Sequence, residues 1–223
     1  METSQNKHKS PHLGMLAIIF SGLFITGLSF VITFSESGPH YPGPWETVEI
    51  IATYFQNYRH DVMMCAFFQF GAAIPLGLFT ATVVSRLKFL GTKAAGVNIA
   101  LFGGFMTAFN LCVSSLILWV MSYPGIAQDI TINRALYYMV FAIGGVGYSV
   151  PLGLLIAGIS VTSFFMKILP KWVIVLGLLL AVLGELSWIS LVFPKLLPLI
   201  PLTRFPGFIW LMIVGFMLPK QIH

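Results

Sequence analysis

Charged residues are scarce in this chain. They make up 9% of its 223 residues, whereas a soluble domain carries about 25%. Hydrophobic residues reach 57%, and the mean hydropathy is +0.91. So few charges exclude an ordinary soluble protein. Because helices satisfy their own backbone hydrogen bonds inside a bilayer, the composition predicts an all-α integral membrane protein.

Histidine is also rare, and it is missing from the apolar parts of the chain. A b-type haem held between helices needs two buried histidines, and di-iron or zinc sites need histidines clustered with carboxylates. Neither set can be assembled at membrane depth, so we expect no metal and no other cofactor. The five histidines are His8, His12, His40, His60 and His223.

Cysteine and the common catalytic motifs are equally sparse. Cys65 and Cys112 fall in different predicted helices and at different depths, so we expect free thiols and no disulfide. No P-loop, dinucleotide fingerprint or Gly-x-Ser-x-Gly elbow occurs. No nucleophile with a partner base lies at membrane depth. The sequence therefore gives no reason to expect an enzyme.

Long apolar runs are what the sequence has instead. A helix needs about 20 residues to cross about 30 Å of hydrocarbon. Six runs follow a polar tail at 1–12 and predict a single domain over 13–220 with six spans. The last run is short, and it spans only if the proline-rich stretch before it enters the bilayer. The predicted spans are 13–34, 62–85, 96–121, 136–166, 172–193 and 205–218.

The basic residues predict the orientation. Placing the N-terminus inside leaves eight of the 12 lysines and arginines on the cytoplasmic side and four outside. Cytoplasmic loops retain such residues, so both termini are predicted to be cytoplasmic in the inner membrane of a bacterium. The net charge of +5 then reflects helix ends beside lipid headgroups, and we expect no nucleic-acid partner.

The extracellular loop over 35–61 is the one with room for structure of its own. Its first part is rich in proline and glycine, which favours turns. A short amphipathic helix is predicted to begin at Trp45, with Tyr54 and Tyr58 at headgroup level. Two interpretations remain open: the helix anchors the second span, or it forms a lid over an outward-facing cavity.

Two segments of the chain are similar to each other. "IPLGLFTATVVS" (74–85) in the second span aligns without a gap with "VPLGLLIAGISV" (150–161) in the fourth. Helices 2–3 and 4–5 are therefore predicted to form a parallel repeat about an axis along the membrane normal. Pro75 and Pro151 each remove a backbone hydrogen bond, so kinks are expected at both.

One carboxylate, Glu185, lies inside the apolar run "LLLAVLGELSWISLVF". An ionised acid facing lipid costs at least a few kcal/mol, so the side chain is predicted to face the bundle. Because burial favours the neutral carboxyl group, Glu185 is also a candidate proton carrier or cation ligand. Candidate partners are Asn110, Gln69 and Asn98 for a hydrogen bond, Arg204 and Arg59 for an ion pair, and Ser187 and Trp188 for a packed polar pocket.

Four prolines follow this span in "FPKLLPLIPLTRFPGFIW" (193–210). They predict that no continuous helix crosses the stretch. Irregular backbone at membrane depth must be covered by protein or line a cavity. The stretch is therefore predicted to be a re-entrant or interfacial turn that brings Arg204 above Glu185. The predicted ligand or proton pocket consists of Glu185, Asn110, Gln69, Trp188 and Arg204.

The region "ILPKWVIVLGLLLAVLGELSWISLVFPKLLPLIPLTRFPGFIWLMIVGFML" (168–218) resembles uncharacterised bacterial six-span membrane protein families. Those families have a kinked helix, a cytoplasmic Leu-Pro-Lys-Trp turn and a final helix after a proline-rich loop. The resemblance implies an architecture and no activity. It is carried by Pro170, Lys171, Trp172, Glu185, Trp188, Arg204, Pro206, Gly207 and Trp210.

Two functions remain as hypotheses. In the first, the protein binds or transports a small solute at the polar pocket near Glu185, with a possible link to protons. In the second, it is a non-catalytic structural or accessory subunit in which Glu185 and Arg204 hold helices together. Membrane lipids are partners in either case, and a homo-oligomer or a partner membrane subunit is compatible with both.

Overall fold

The structure is a computed structural model that describes residues 8–32 and 40–221. The rest of the predicted tail, the end of the predicted first span and the start of the predicted loop lie outside this range. Every regular element in the described residues is helical. The helices are α1 (Leu13–Ser29), α2 (Val48–Asn57), α3 (Arg59–Phe89), α4 (Ala95–Met121), α5 (Pro124–Gln128), α6 (Ile130–Gly144), α7 (Val146–Met166), α8 (Lys171–Leu186) and α9 (Leu199–Met217), with two 3-10 helices, Ser187–Leu191 and Pro194–Leu196, between α8 and α9.

Five stretches of the described chain are helical, long and apolar enough to cross a membrane. A further apolar helix, α1, has 17 residues. This is the arrangement of a multi-pass membrane protein, and it confirms the all-helical membrane class. The five stretches are Arg59–Phe89, Ala95–Met121, Ile130–Met166, Lys171–Leu191 and Pro194–Met217.

The fourth predicted span is two helices. We expected one helix over 136–166 with a kink at Pro151, but α6 ends at Gly144 and α7 begins at Val146. The break is at Gly145, with φ −89° and ψ −94°. A Cβ at this position would collide with the carbonyl oxygen of Phe141, so the break requires glycine. Pro151 lies inside α7, as Pro75 lies inside α3.

The last span is longer than predicted. Helix α9 has 19 residues and begins at Leu199, six residues before the predicted start, so it crosses part of the stretch where no helix was expected. Pro201 falls in its first turn, where a backbone N–H has no intrahelical partner in any case. Pro206 is tolerated in the interior. Arg204 therefore lies on a helix and not on a re-entrant turn.

The short loop helix begins at Val48 and not at Trp45. Thr47 is its N-cap, and the Thr47 side chain accepts a hydrogen bond from the backbone N–H of Ile50. Trp45 lies in the turn before it and is 75% exposed. Tyr54 is buried inside this end of the protein, which differs from its predicted place at headgroup level.

Six helices pack in a closed ring. Following the chain, α1 packs on α3, α3 on α4, α4 on α7, α7 on α8 and α8 on α9, and α9 returns to α1. Small residues let the backbones approach closely. A Cβ on Gly103 of α4 would lie 2.6 Å from the carbonyl oxygen of Pro151, and one on Gly215 of α9 would lie 2.7 Å from the Cα of Gly14. The predicted repeat is not tested by this packing and stays a prediction.

The bundle has two different ends. At the loop end lie α2, α5 and the turn between α8 and α9. At the terminal end, the backbone N–H of His8 donates to the carbonyl oxygen of Lys220 (2.9 Å). The side chain of Arg86 ties the same two segments together by donating to Ser10 Oγ (3.1 Å) and to the carbonyl oxygen of Leu218 (3.3 Å). The main apolar core fills the ring between the two ends.

Candidate functional site

A cavity of about 690 Å³ lies at the loop end of the bundle. Its walls come from α1, α3, α4, α6 and the start of α9, and Tyr41 and Trp45 of the loop segment contribute to its outer side. Most of the lining is apolar. Sites for small molecules commonly have this size and this composition.

The cavity lies beside the interruption of the fourth span. Helix α6 packs on α2, α4 and α7. Its C-terminal residue Gly144 and the break at Gly145 line the cavity, facing Pro198 and Pro201 at the beginning of α9. A glycine break on one side and a proline-rich turn on the other leave space that two straight helices would fill with side chains.

Arg204 lies on the inner side of this cavity. Its Nη2 donates a hydrogen bond to the carbonyl oxygen of Gly144, a helix-end carbonyl that lacks a partner within α6. The guanidinium lies over the rings of Tyr148 (4.6 Å to the centroid) and Phe24 (5.5 Å), which attract it as a cation. Arginine has five N–H donors. In the described residues only this one has a hydrogen-bond acceptor, and the Nε–H is buried without one.

The polar groups of the lining are cationic or neutral. Lys195 joins Arg204 as the second cation, and no aspartate or glutamate lines the cavity within the described chain. Neither cation is ion-paired there. The neutral polar residues are Gln69, Ser114 and Tyr41. Burial raises the pKa of Tyr41 well above its usual value, so the phenol keeps its proton and can donate a hydrogen bond.

Asn110 has a structural explanation. Its Nδ2 donates to the carbonyl oxygen of Gly147 in α7. In a regular helix this carbonyl would accept from the residue four positions later, which is Pro151 and has no N–H. The amide of Asn110 therefore replaces the hydrogen bond that the proline removes.

Glu185 lies apart from the cavity, between α8 and α7. Its Oε1 is buried, so the carboxylate faces the bundle. A Cβ added to Gly153 of α7 would be 3.2 Å from this oxygen. Within the described chain Oε1 has no hydrogen-bond partner and no cation lies within ion-pair distance. Asn110 and Arg204 are bonded to backbone carbonyls instead.

The predicted pocket is thus divided among several places. Gln69 and Arg204 line the same cavity. Asn110 and Glu185 lie at two different faces of α7. Trp188 is 55% exposed on the outside of the 3-10 helix after α8, so it does not contribute to an internal pocket.

Sequence reasoning missed the other residues of the cavity. Tyr41, Lys195 and Ser114 are far apart in the chain. Tyr148 and Phe24, which lie against the guanidinium of Arg204, belong to runs that read as ordinary apolar spans. No spacing or motif relates them. One available signal was the glycine pair at 144–145, which is a possible break in a helix.

No cluster of metal ligands was found in the described residues. No three histidine, cysteine, aspartate or glutamate side chains lie close enough together to hold a metal ion. Cys65, which lines the cavity, and Cys112 are both free thiols.

Comparison with known proteins gives no family for this chain. No family model matches it, and neither the curated proteins nor the solved structures include a significant match. The similarity to uncharacterised bacterial six-span families therefore stays a prediction, and the function must be argued from the cavity itself.

Proposed function

We propose that this protein binds a small solute in the loop-end cavity, as a carrier or receptor in the membrane. The observation that supports the proposal is the position of Arg204 at a cavity of about 690 Å³, where most of its donors have no acceptor among the described residues. Arg204 is half-buried, and its Nε–H is buried without an acceptor among the described residues, which costs free energy. A protein retains such a group where a ligand completes it, and charged residues inside membrane spans commonly mark substrate sites.

The same observation weighs against a purely structural role for Arg204. An arginine that only holds helices together can satisfy its donors with backbone carbonyls and hydroxyls. At the terminal end Arg86 makes three such hydrogen bonds, and its Nε–H is the donor that stays buried without an acceptor among the described residues. Arg204 has one acceptor and open space beside it.

Six spans with both termini in the cytoplasm are part of the proposal. Helix α1 closes the ring between α3 and α9, which supports counting it as a span. The described ends of the chain meet at the same side, which requires an even number of crossings. That side carries most of the lysines and arginines, as expected for the cytoplasm of a bacterial cell. Reporter fusions would test this: labelling of the Trp45 loop from the cytoplasm would contradict it.

Glu185 supplies the possible link to protons. Its buried Oε1, which has no hydrogen-bond partner among the described residues, lies against α7, the helix that carries Tyr148 beneath the guanidinium of Arg204. A proton on this carboxyl group would change the packing of α8 on α7. We propose that protonation of Glu185 is coupled in this way to occupancy of the cavity.

The cavity can be tested with a matched pair of substitutions. Ser114 and Ser115 are neighbours on α4, both buried, and both hydroxyls donate to the carbonyl oxygen of Leu111. Ser114 lines the cavity, whereas Ser115 lines a groove between α3 and α4. Ser114→Trp should fill the cavity and Ser115→Trp should not.

The readout is the native thiol of Cys65 in a Cys112→Ser background, with the protein in lipid nanodiscs. A small uncharged reagent, methyl methanethiosulfonate, should modify Cys65 because this side chain lines the cavity. Ser114→Trp should slow the reaction at least about tenfold, and Ser115→Trp should leave it unchanged. Equal rates in both variants would exclude a solute-accessible cavity beside Cys65.

A further inference from the structure

We propose that the ligand of the loop-end cavity is an amphipathic anion, whose carboxylate or phosphate oxygens bind Arg204 while its apolar part lies against the cavity walls. This inference rests on the proposed function and names the class of its ligand.

The charge of the described lining favours an anion. Arg204 and Lys195 both line it, and the described lining contains no acidic side chain. A cation would be repelled, and an uncharged solute would leave the guanidinium without compensation. An anion offsets the charge that the described residues leave unpaired.

The arrangement of Arg204 favours an oxyanion in particular. The guanidinium is planar, and its N–H groups match the oxygens of a carboxylate or a phosphate in a bidentate geometry. Tyr148 and Phe24 lie against it, and the bond to Gly144 holds one end. Three contacts therefore orient the group while most of its donors are left for a ligand.

The rest of the cavity favours an apolar body on the same ligand. Leu28 and Val31 of α1, Val140 and Phe141 of α6 and Ile200 of α9 line it. A fully hydrated ion such as inorganic phosphate would bury this surface poorly. A short acyl or aromatic chain would remove it from water at a gain of roughly 25 cal/mol per Å².

Binding of [14C]decanoate to the full-length protein in phosphatidylcholine nanodiscs tests the proposal, with empty nanodiscs as the blank. We expect saturable binding at about one molecule per chain. Decyl phosphate should compete, whereas decanol, decyltrimethylammonium and inorganic phosphate at the same concentration should not. Decanol and decyltrimethylammonium carry the same chain without a negative headgroup, so they test whether the charge is needed. Inorganic phosphate carries the charge without the chain, so it tests whether the apolar part is needed.

The key variant is Arg204→Gln, which should weaken decanoate binding at least about tenfold, because hydrogen bonds to a charged group are lost. Arg134→Gln is the matched control. It removes another guanidinium that lies over an aromatic ring, Tyr138, but on the exposed face of α6. It should bind decanoate like the wild type.

Each outcome decides the inference. Weak binding in Arg204→Gln and Ser114→Trp with normal binding in Arg134→Gln supports it. Equal competition by decanol, or unchanged binding in folded Arg204→Gln, overturns it, even if Cys65 remains accessible and the cavity still admits solutes. If Arg204→Gln does not fold, the competitor series with the wild type decides alone. Absence of saturable decanoate and decyl phosphate binding also overturns the inference.

Discussion

Two arginines lie at opposite ends of the bundle and have different surroundings. Arg86, in the last turn of α3, is 0% exposed and donates to Leu218, Ser10 and Pro11. Arg204, in α9, donates to Gly144 alone and borders a cavity. Neither is paired with an acid in the described residues.

The difference shows how a membrane protein uses the same side chain in two ways. Where backbone carbonyls and a hydroxyl from two ends of the described chain converge, a guanidinium is a structural link with three of its donors satisfied. Where a helix break leaves space beside it, the unused donors are available to a ligand. The position of an arginine near the end of an apolar run does not distinguish these cases, because the acceptors come from distant parts of the chain.

The largest effect should come from replacing Arg86 by methionine, with the same replacement of Arg204 as the comparison. Arg86→Met removes three hydrogen bonds at once and separates the chain ends, which should lower the free energy of unfolding by about 3 kcal/mol. Arg204→Met removes one and should cost about 1 kcal/mol. Thermal unfolding in nanodiscs measures both. Lys88→Met, exposed in the same turn as Arg86, is the control. Equal losses for the two arginines would remove the distinction between them.

A smaller effect should follow from removing the hydrogen bond that the Asn110 side chain donates to the carbonyl oxygen of Gly147, near the break. Asn110→Leu leaves the carbonyl of Gly147 without a donor, at a cost of about 1–3 kcal/mol. Pro151→Ala supplies a backbone N–H four residues later, so the double variant should recover most of the loss. A double-mutant cycle of thermal unfolding measures the coupling. Additive effects would show that Asn110 does not replace the bond lost at Pro151.

The terminal end should also respond to pH. Burial and the positive charge of Arg86 lower the pKa of His8 below 6.5. The folded state therefore favours neutral His8, and this contribution is present above pH 6.5 and is lost as the pH falls through the folded-state pKa. The melting temperature should fall between pH 7.5 and pH 5.5, and it should fall less in His8→Gln. An identical decrease in both proteins would show that other groups cause it.

The smallest effect on stability should come from Glu185→Gln. The carboxylate has no hydrogen-bond partner among the described residues, and glutamine keeps its shape, so the free energy of unfolding should change by less than about 0.5 kcal/mol. If Glu185 carries a proton linked to the cavity, the pH dependence of decanoate binding should disappear. Binding with an unchanged pH dependence would leave Glu185 a purely structural residue.

The prediction from sequence was good where a helix is uniformly apolar. Helix α4 begins within one residue of its predicted start and ends at the predicted residue, because hydropathy changes sharply at both ends. The prediction failed at α6 and α7, where we gave weight to Pro151 and not to Gly145. It also failed at α9, because prolines in a first turn do not prevent a helix.

The candidate site was predicted only in part, and for a different reason. Gln69 and Arg204 were both named and both line the cavity, yet they were assigned to a pocket around Glu185. A rare polar residue in an apolar run is visible in the sequence. Its partner is not, because a helix with no soluble face gives no periodicity from which to infer the side that faces inward.

The sequence by itself determined that this is a helical membrane protein, because crossing hydrocarbon requires long apolar runs with internal hydrogen bonds. It also identified the few charged and amide side chains within the apolar runs, such as Glu185, Gln69 and Asn110. Only the tertiary structure decided their roles. The break at Gly145, the acceptors of Arg86 and the space beside Arg204 depend on which helices pack together, and close packing of backbones at small residues sets that order.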